Sequence, residues 1–292
     1  MKYVFFGTPE FAAIILEKLI KAGFIPEAIV CNPDKPIGRK KIITPPPTKI
    51  IAQKYGIQVW QPEKIDLQNL LLDDNSCGRI NCHHQNKYDL FIVAAYSQII
   101  PKEILEIPRL GTIGVHPSLL PKHRGATPIQ TAILNGDEIT GTTLYLMDEK
   151  MDHGRIISNL KSQILNLSTY ETLMRKLAKL SADLLIETLP NIENKIKNAQ
   201  PQNEAEATFT RKFATEDAFI KPEDLAAAIQ SGEKAVEIER KIRALNPEPG
   251  VFTLRQAQGK LKRMKLLEAE IVDEKLKLTK IQVEGKKPII LS

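Results

Sequence analysis

Residues 3–30, YVFFGTPEFAAIILEKLIKAGFIPEAIV, carry the reading that decides the fold. Tyr3-Val4-Phe5-Phe6 is a short apolar run closed by Gly7-Thr8-Pro9. Phe11, Ile14, Ile15 and Leu19 then recur at helical spacing, and Leu16 and Ile20 widen the apolar face. Gly23 stands where a helix would stop, and Ala28-Ile29-Val30 is a second apolar run. Strand, helix, strand in this order is a βαβ unit, which predicts a parallel sheet. Strands of such a sheet are covered on both faces and read as unbroken apolar runs. Leu90-Phe91-Ile92-Val93-Ala94-Ala95 is the next run of that kind. The turn Gly7-Thr8-Pro9-Glu10-Phe11-Ala12 lacks GxGxxG, so no dinucleotide fingerprint is present.

Working outward, Ile57–Trp60, Thr112–His116 and Thr142–Met147 read as further strands. Pro128–Leu134 reads as a helix, and Thr169–Leu189 as an amphipathic one with Leu173, Leu177, Leu180, Leu184 and Leu185 on one face. Residues 32–49 hold five prolines and five basic residues and read as a long exposed loop. The polar stretch 75–87 reads as an exposed insertion. Residues 190–207 are nearly free of large apolar groups and read as a linker region. Beyond it come a helix near Val236–Leu245 and short strands around Gly250–Leu254, Arg263–Glu270 and Lys275–Val283, the pattern of a small barrel. The expected organisation is an α/β domain over 1–190 with a parallel-type sheet, a linker over 191–207, and a small β-barrel domain over 208–292.

The bulk properties agree. At 292 residues the chain has room for two domains, and 42% hydrophobic with 26% charged residues is ordinary for a globular protein. No stretch nears the ~18 consecutive apolar residues of a membrane helix. The first residues read as a strand, not a signal peptide. Cysteines number three (Cys31, Cys77 and Cys82), too few and too odd for a disulfide framework, and a reducing cytoplasm is expected. The formal charge of +6 is uneven: from Arg240 onward 13 basic and 6 acidic residues give +7, and the other 28 and 29 give −1. A basic C-terminal segment suits a polyanionic partner, although scattered lysines also simply keep a surface solvated.

The chemistry concentrates in Leu110-Gly111-Thr112-Ile113-Gly114-Val115-His116-Pro117-Ser118-Leu119-Leu120-Pro121 and the following Lys122-His123-Arg124-Gly125-Ala126. Strand alternation places Ile113 and Val115 on one face, and Gly114 and His116 on the other. A histidine near the carboxyl end of a parallel strand is placed where open α/β sheets bind ligands, and it suits acid–base or electrostatic work. The plainer alternative is a hydrogen-bonded surface histidine. Met147-Asp148-Glu149-Lys150-Met151-Asp152-His153-Gly154 follows a strand and ends on glycine. Asp152 could hold the His116 imidazole or cap its own loop, and spacing does not separate the two. Cys77, Cys82, His83 and His84 match no usual zinc spacing, so no metal is expected. Cys31 reads as a small buried apolar residue.

GTPEFA at 7–12, NPDKPIGR at 32–39, AAYSQIIP at 94–101, VHPSLLPKHRGATPIQ at 115–130, MDEKMDHG at 147–154 and LNPEPG at 245–250 together resemble the methionyl-tRNA formyltransferases, within the folate-dependent formyltransferase family. The resemblance spans nearly the whole chain. It implies a Rossmann-like formyltransferase domain followed by an OB-like barrel that contributes to tRNA binding. It implies 10-formyltetrahydrofolate as formyl donor, with Ser118, Leu119, Leu120 and Pro121 lining the folate site, and initiator methionyl-tRNA as acceptor in translation initiation. His116 and Asp152 match the family's catalytic histidine and aspartate. Lys35, Arg39, Lys40 and Lys41 lie on the loop matching the one that enters the tRNA acceptor end. A cytoplasmic monomer without metal or membrane attachment is expected.

One position departs from the pattern. The family block reads Asn-Val-His, and here the asparagine position is Gly114, on the same face as His116. An asparagine there would donate to a developing oxyanion, and its loss costs on the order of 10²–10³ in rate unless something replaces it. A water or Gln98 is a conceivable substitute. Ser97 also stands where the family usually has glycine. The competing expectations are a formyltransferase acting on another amine, such as that of a nucleotide sugar, and a catalytically impaired tRNA- or folate-binding homologue.

Overall fold

The computed structural model describes residues 1–38, 40–65, 88–165, 167–257 and 260–291. Arg39 and the 75–87 stretch with Cys77, Cys82, His83 and His84 lie outside the described residues. The chain forms two compact units, one of Met1–Arg124, Gly141–Ser162 and Met174–Thr208, the other of Gly125–Thr140, Gln163–Leu173 and Phe209–Ser292.

The opening folds as its pattern requires. β1 (Tyr3–Gly7) is buried throughout, α1 (Glu10–Lys21) buries Phe11, Ala12, Ile15, Leu16 and Leu19, and β2 (Ala28–Val30) pairs with β1 in parallel. The stretch expected as one long loop is more ordered than that. Lys35–Ile37 (β3) and Ile42–Thr44 (β4) pair antiparallel, and the turn between them is closed by the Lys41 N–H donating to the Gly38 carbonyl at 3.1 Å. Both Gly38 and Lys41 take positive φ there. The three prolines at 45–47 end in a helix, α2 (Pro47–Lys54), because a proline in the first turn gives up an N–H that has no partner anyway. Proline count therefore misled: it marked a helix start, not continued loop.

β5 (Gln58–Trp60), β6 (Leu90–Ala94), the short helix α3 (Lys102–Leu105) and β7 (Thr112–His116) follow, and α4 (Pro128–Asn135) then lies in the second unit. β8 (Ile139–Leu146) and β9 (Ile156–Gln163) complete a seven-stranded sheet of order β9-β8-β7-β6-β1-β2-β5. The pairs from β5 through β7 are parallel and β8 runs antiparallel to β7. β9 escaped sequence reading, because Ile156-Ile157-Ser158-Asn159-Leu160-Lys161-Ser162-Gln163 is too polar to announce a strand and survives as one only at the sheet edge. Strand order reverses between β1 and β6, which makes their carboxyl ends the crevice of the sheet. One face of the sheet buries Val4, Phe6, Val30, Trp60, Phe91 and Val93 with Ile104 of α3. By parallel register Val93 lies beside Gly114, so this face is also the one that carries Gly114 and His116.

After α5 (Tyr170–Thr188), residues 192–197 form a short helix, α6, and Gln200 exchanges backbone hydrogen bonds with Ile156 at 2.7 and 2.9 Å. Within the stretch expected as linker, Gln200 is thus hydrogen-bonded to the start of β9. In the second unit α7 (Pro222–Gln230) and α8 (Ala235–Leu245) accompany an antiparallel sheet of β10 (Phe252–Ala257), β11 (Lys260–Val272), β12 (Lys275–Val283) and β13 (Ile289–Ile290). The antiparallel strands expected of the C-terminal domain are present as a meander. Asn246 ties its start together, donating to the Leu266 carbonyl at 2.8 Å and accepting from the Val251 N–H at 3.0 Å.

Candidate active site

β7 ends on His116, and the 117–124 loop turns back over it. The His123 carbonyl lies 2.9 Å from His116 Nε2. A carbonyl only accepts, so Nε2 carries a proton and Nδ1 is the nitrogen left to face the site. Nδ1 lies 3.6 Å from Asp152 Oδ2, an ion-pair distance beyond an ordinary hydrogen bond. A shift of well under 1 Å would close it. His116 is buried, and the Asp152 side chain keeps 15% exposure.

Asp152 reaches this spot because residues 147–154 leave β8 beyond Leu146 and fold back over the sheet face. Gly154 allows the return: a Cβ there would overlap the Leu146 carbonyl oxygen. Asp152 itself sits in the left-handed region at φ 49°, a conformation tolerated by aspartate but strained enough to need support. The support comes from Gln202, whose amide donates to the Asp152 and Gly154 carbonyls at 2.9 and 2.8 Å. Gln202 is held in turn by Arg124, buried to 2% exposure, which donates to its Oε1 and to both Glu204 oxygens. The Glu204 carboxyl is held below its ordinary range by that guanidinium. Across the turn, His153 Nδ1 lies 2.6 Å from Asp148 Oδ2.

Gly114 meets an unexpected neighbour. Its cross-strand partner is Tyr145, and directly opposed residues project on one face. The Tyr145 hydroxyl donates to Asp152 Oδ1 at 2.7 Å. Burial, and then the Asp152 charge beside it, pushes the Tyr145 phenol well above its ordinary range, so it is a neutral donor. Gln98 does not serve here: its Oε1 accepts from the Ile65 N–H at 3.0 Å and its amide donates to the Pro62 carbonyl at 3.1 Å.

The other expected positions divide. Ser118 is fully buried and its hydroxyl donates inward to the Lys122 carbonyl at 2.6 Å. Thr143 Oγ1 donates to the Ser118 carbonyl at 2.7 Å and accepts from the Leu120 N–H at 3.1 Å. The Ser118–Pro121 turn is therefore rigid; Leu120 is buried, and Leu119 and Pro121 are its partly exposed members. Lys35, Lys40 and Lys41 are exposed on the β3–β4 hairpin, where Ile43 is 70% exposed. Cys31 is buried, and burial pushes its thiol up to about 11. Among the described residues no group of three or more His, Cys, Asp or Glu could hold a metal, and no helix is long and apolar enough to cross a membrane. Sequence reading named His116 and Asp152, which the structure brings to 3.6 Å of each other, and did not name Tyr145, Gln202 or Arg124, which hold Asp152 and its turn. The pairing of β7 with β8 was the one signal for Tyr145, and neither strand encodes its own partner.

Two family models match the chain: "Formyl transferase" over residues 1–189 and "Formyl transferase, C-terminal domain" over residues 220–290. A protein of Macrococcus caseolyticus named methionyl-tRNA formyltransferase is 38% identical over 272 residues, covering 93% of this chain and 80% of its own. A Staphylococcus aureus protein of the same name is 37% identical over 276 residues with the same coverage. Among solved structures, an N-formyltransferase from Helicobacter canadensis, in complex with folinic acid and dTDP-3-aminofucose, superposes with a TM-score of 0.60 at 19% identity, covering 98% of this chain and 96% of that one. HypX from Aquifex aeolicus in complex with tetrahydrofolic acid gives 0.62 at 16% identity, covering 100% of this chain and 46% of that one. These two share the fold. With both family models matched and the relatives alike over nearly its whole length, the chain belongs to the formyl transferase family.

Proposed function

We propose that the chain transfers a formyl group from 10-formyltetrahydrofolate to the amino group of methionine on initiator tRNA. The observation that carries this reading is the His116–Asp152 pair, 3.6 Å apart over the sheet face, in a chain 38% identical to a protein of that name. The residues present fit a folate. Asn32 Oδ1 and the Tyr96 hydroxyl, just past the carboxyl ends of β2 and β6, are buried without a hydrogen-bond partner among the described residues. Unspent polar atoms at a sheet crevice suit a heteroaromatic ring with N–H edges. The Asn32 amide donates to Ser97 Oγ at 2.7 Å, so the serine at that position orients the group. Leu119 and Pro121 offer the apolar wall.

When bound, the folate supplies a formyl carbon open to attack by an amine. Asp152 would take the proton that the attacking amine sheds and, shared through His116 Nδ1, return it to the folate nitrogen as the bond from that nitrogen to the formyl carbon breaks, so that tetrahydrofolate leaves. Negative charge grows on the formyl oxygen during attack, and with the shared proton on Nδ1 the fixed imidazole is a donor to it, worth ~3–4 kcal/mol. The buried setting keeps bulk water from competing with these groups. Lys35, Lys40 and Lys41 on the hairpin, and Arg39 in the same stretch, suit the phosphates of an acceptor stem, and the +7 from Arg240 onward supplies a second basic segment. A translation enzyme of this kind works in the cytoplasm.

An acceptor comparison tests the reading. Purified protein with 10-formyltetrahydrofolate is offered methionyl-initiator tRNA, methionyl-elongator tRNA and a nucleotide-linked amino sugar. Formylation of the initiator species with the highest kcat/KM is the expected result. Efficient formylation of the sugar amine with none of the tRNA would replace this acceptor with the other.

A further inference from the structure

Gly114 has no side chain, yet the space beside it is full. A Cβ built on Gly114 would lie 2.6 Å from the Tyr145 hydroxyl oxygen and closer still to two ring carbons. No side chain at 114, not even alanine, fits while that ring stays. Tyr145 is itself only 4% exposed, so the ring fills that space in the interior of the protein. From this place its hydroxyl reaches Asp152 Oδ1 at 2.7 Å, while Oδ2 of the same carboxylate faces His116 Nδ1.

We propose that Tyr145 is a positioning residue for the His116–Asp152 pair, and that Gly114 is glycine to admit it. The kinetic part of this inference rests on the function proposed above. A phenol has one proton to give, and Tyr145 gives it to Asp152. That bond occupies Oδ1 and sets the rotation of the carboxylate, leaving Oδ2 turned toward the imidazole. Gln202 cannot do the same, because it supports the backbone of this turn and not the carboxylate. The side chain missing at 114 is thus replaced in volume by the tyrosine across the strand, and its polar end is spent on the catalytic aspartate. An asparagine placed at 114 would collide with this arrangement, so Gly114→Asn is expected to cost the protein stability and not simply to restore a donor.

Four variants decide the matter: Tyr145→Phe, Gly114→Asn, Tyr145→Leu and the Gly114→Asn/Tyr145→Leu pair, each measured for thermal midpoint and for kcat and KM with both substrates. Tyr145→Phe keeps the ring and removes the proton. Its kcat is expected to fall ~10–100-fold, the loss of one hydrogen bond to a charged group, with both KM values and the midpoint near the parent's. A role in packing alone would leave its kcat unchanged. Gly114→Asn is expected to lower the midpoint by several degrees in the parent and far less in the Tyr145→Leu background, the non-additivity of two groups sharing one space. A kcat for Tyr145→Phe within about twofold of the parent, or an equal cost of Gly114→Asn in both backgrounds, would overturn the inference. If the parent formylates no acceptor, the functional reading fails separately, and the stability cycle alone still supports or refutes the shared space.

Discussion

His116 and Asp152 do different things with similar exposure. His116 is pinned by the His123 carbonyl, and Asp152 is pinned by Tyr145 and, through its backbone, by Gln202. Changing either should therefore spoil chemistry more than binding. His116→Gln and Asp152→Asn are each expected to lower kcat by ~10²–10⁴ while folate affinity, read by fluorescence titration, stays within a few fold. Gln202→Ala should act indirectly, lowering kcat by about tenfold through a loosened 147–154 turn; an unchanged kcat would show that the turn holds itself. At this scale the residues by themselves left His116 and Asp152 open, each with a plainer reading, and the family resemblance singled them out. The sequence was illegible where function depends on who stands opposite. Tyr145 reads as an ordinary strand aromatic until β8 is set antiparallel to β7, and the space beside Gly114 reads as empty until that ring is seen in it.

Among the elements, the β3–β4 hairpin and the 147–154 turn make the sharpest contrast. The hairpin is exposed, pairs over three residues of each strand, and carries Lys35, Lys40 and Lys41. Replacing Lys40 and Lys41 by alanine is expected to raise the KM for tRNA roughly ten- to hundredfold and leave the KM for folate alone. It should also flatten the salt dependence of log KM by nearly one unit of slope for each phosphate no longer neutralised. Unaltered salt dependence would remove these lysines from the RNA surface. The turn is tight. Gly154→Ala would drive a methyl into the Leu146 carbonyl oxygen and is expected to cost ~1–3 kcal/mol or more in urea unfolding, with activity lost ahead of stability. Apolar runs named β1, β2 and β6 from the sequence, because parallel strands covered on both faces carry no polar alternation. The hairpin and β9 stayed hidden because short, polar, edge or exposed strands take their identity from a partner, not from composition.

For the whole molecule, charge sets the conditions under which the fold persists. Glu17 is held below its ordinary range by Lys54, Asp89 by the Lys2 N–H and then Arg109, Asp217 by Arg211 and the Ala214 N–H, and Asp224 by Lys234. A depressed folded value means that the unfolded chain binds protons first as the pH falls. The stability these groups contribute is complete above the unfolded carboxylate range and drains away below about pH 4. Tyr3, Tyr96 and Tyr145 are raised by burial. The unfolded chain releases those phenolic protons first, so stability also falls as the pH rises beyond ~10. Urea midpoints should form a plateau between these limits with a loss on each side; stability still rising above pH 10 would contradict the burial of the three tyrosines. The stretch 190–207 reads as a linker by composition, yet it carries Gln202, which donates to the carbonyls of the 147–154 turn, and Glu204, which holds the Arg124 that steadies Gln202. Polar composition marks exposed chain and keeps no trace of which polar groups are spent inward. The most direct test is single-turnover formylation of methionyl-initiator tRNA with 10-formyltetrahydrofolate in excess, comparing the parent with His116→Gln and Asp152→Asn. A parent rate at least ~10²-fold above both variants is the expected result, and a parent without turnover, or one matched by either variant, would contradict formyl transfer at this site.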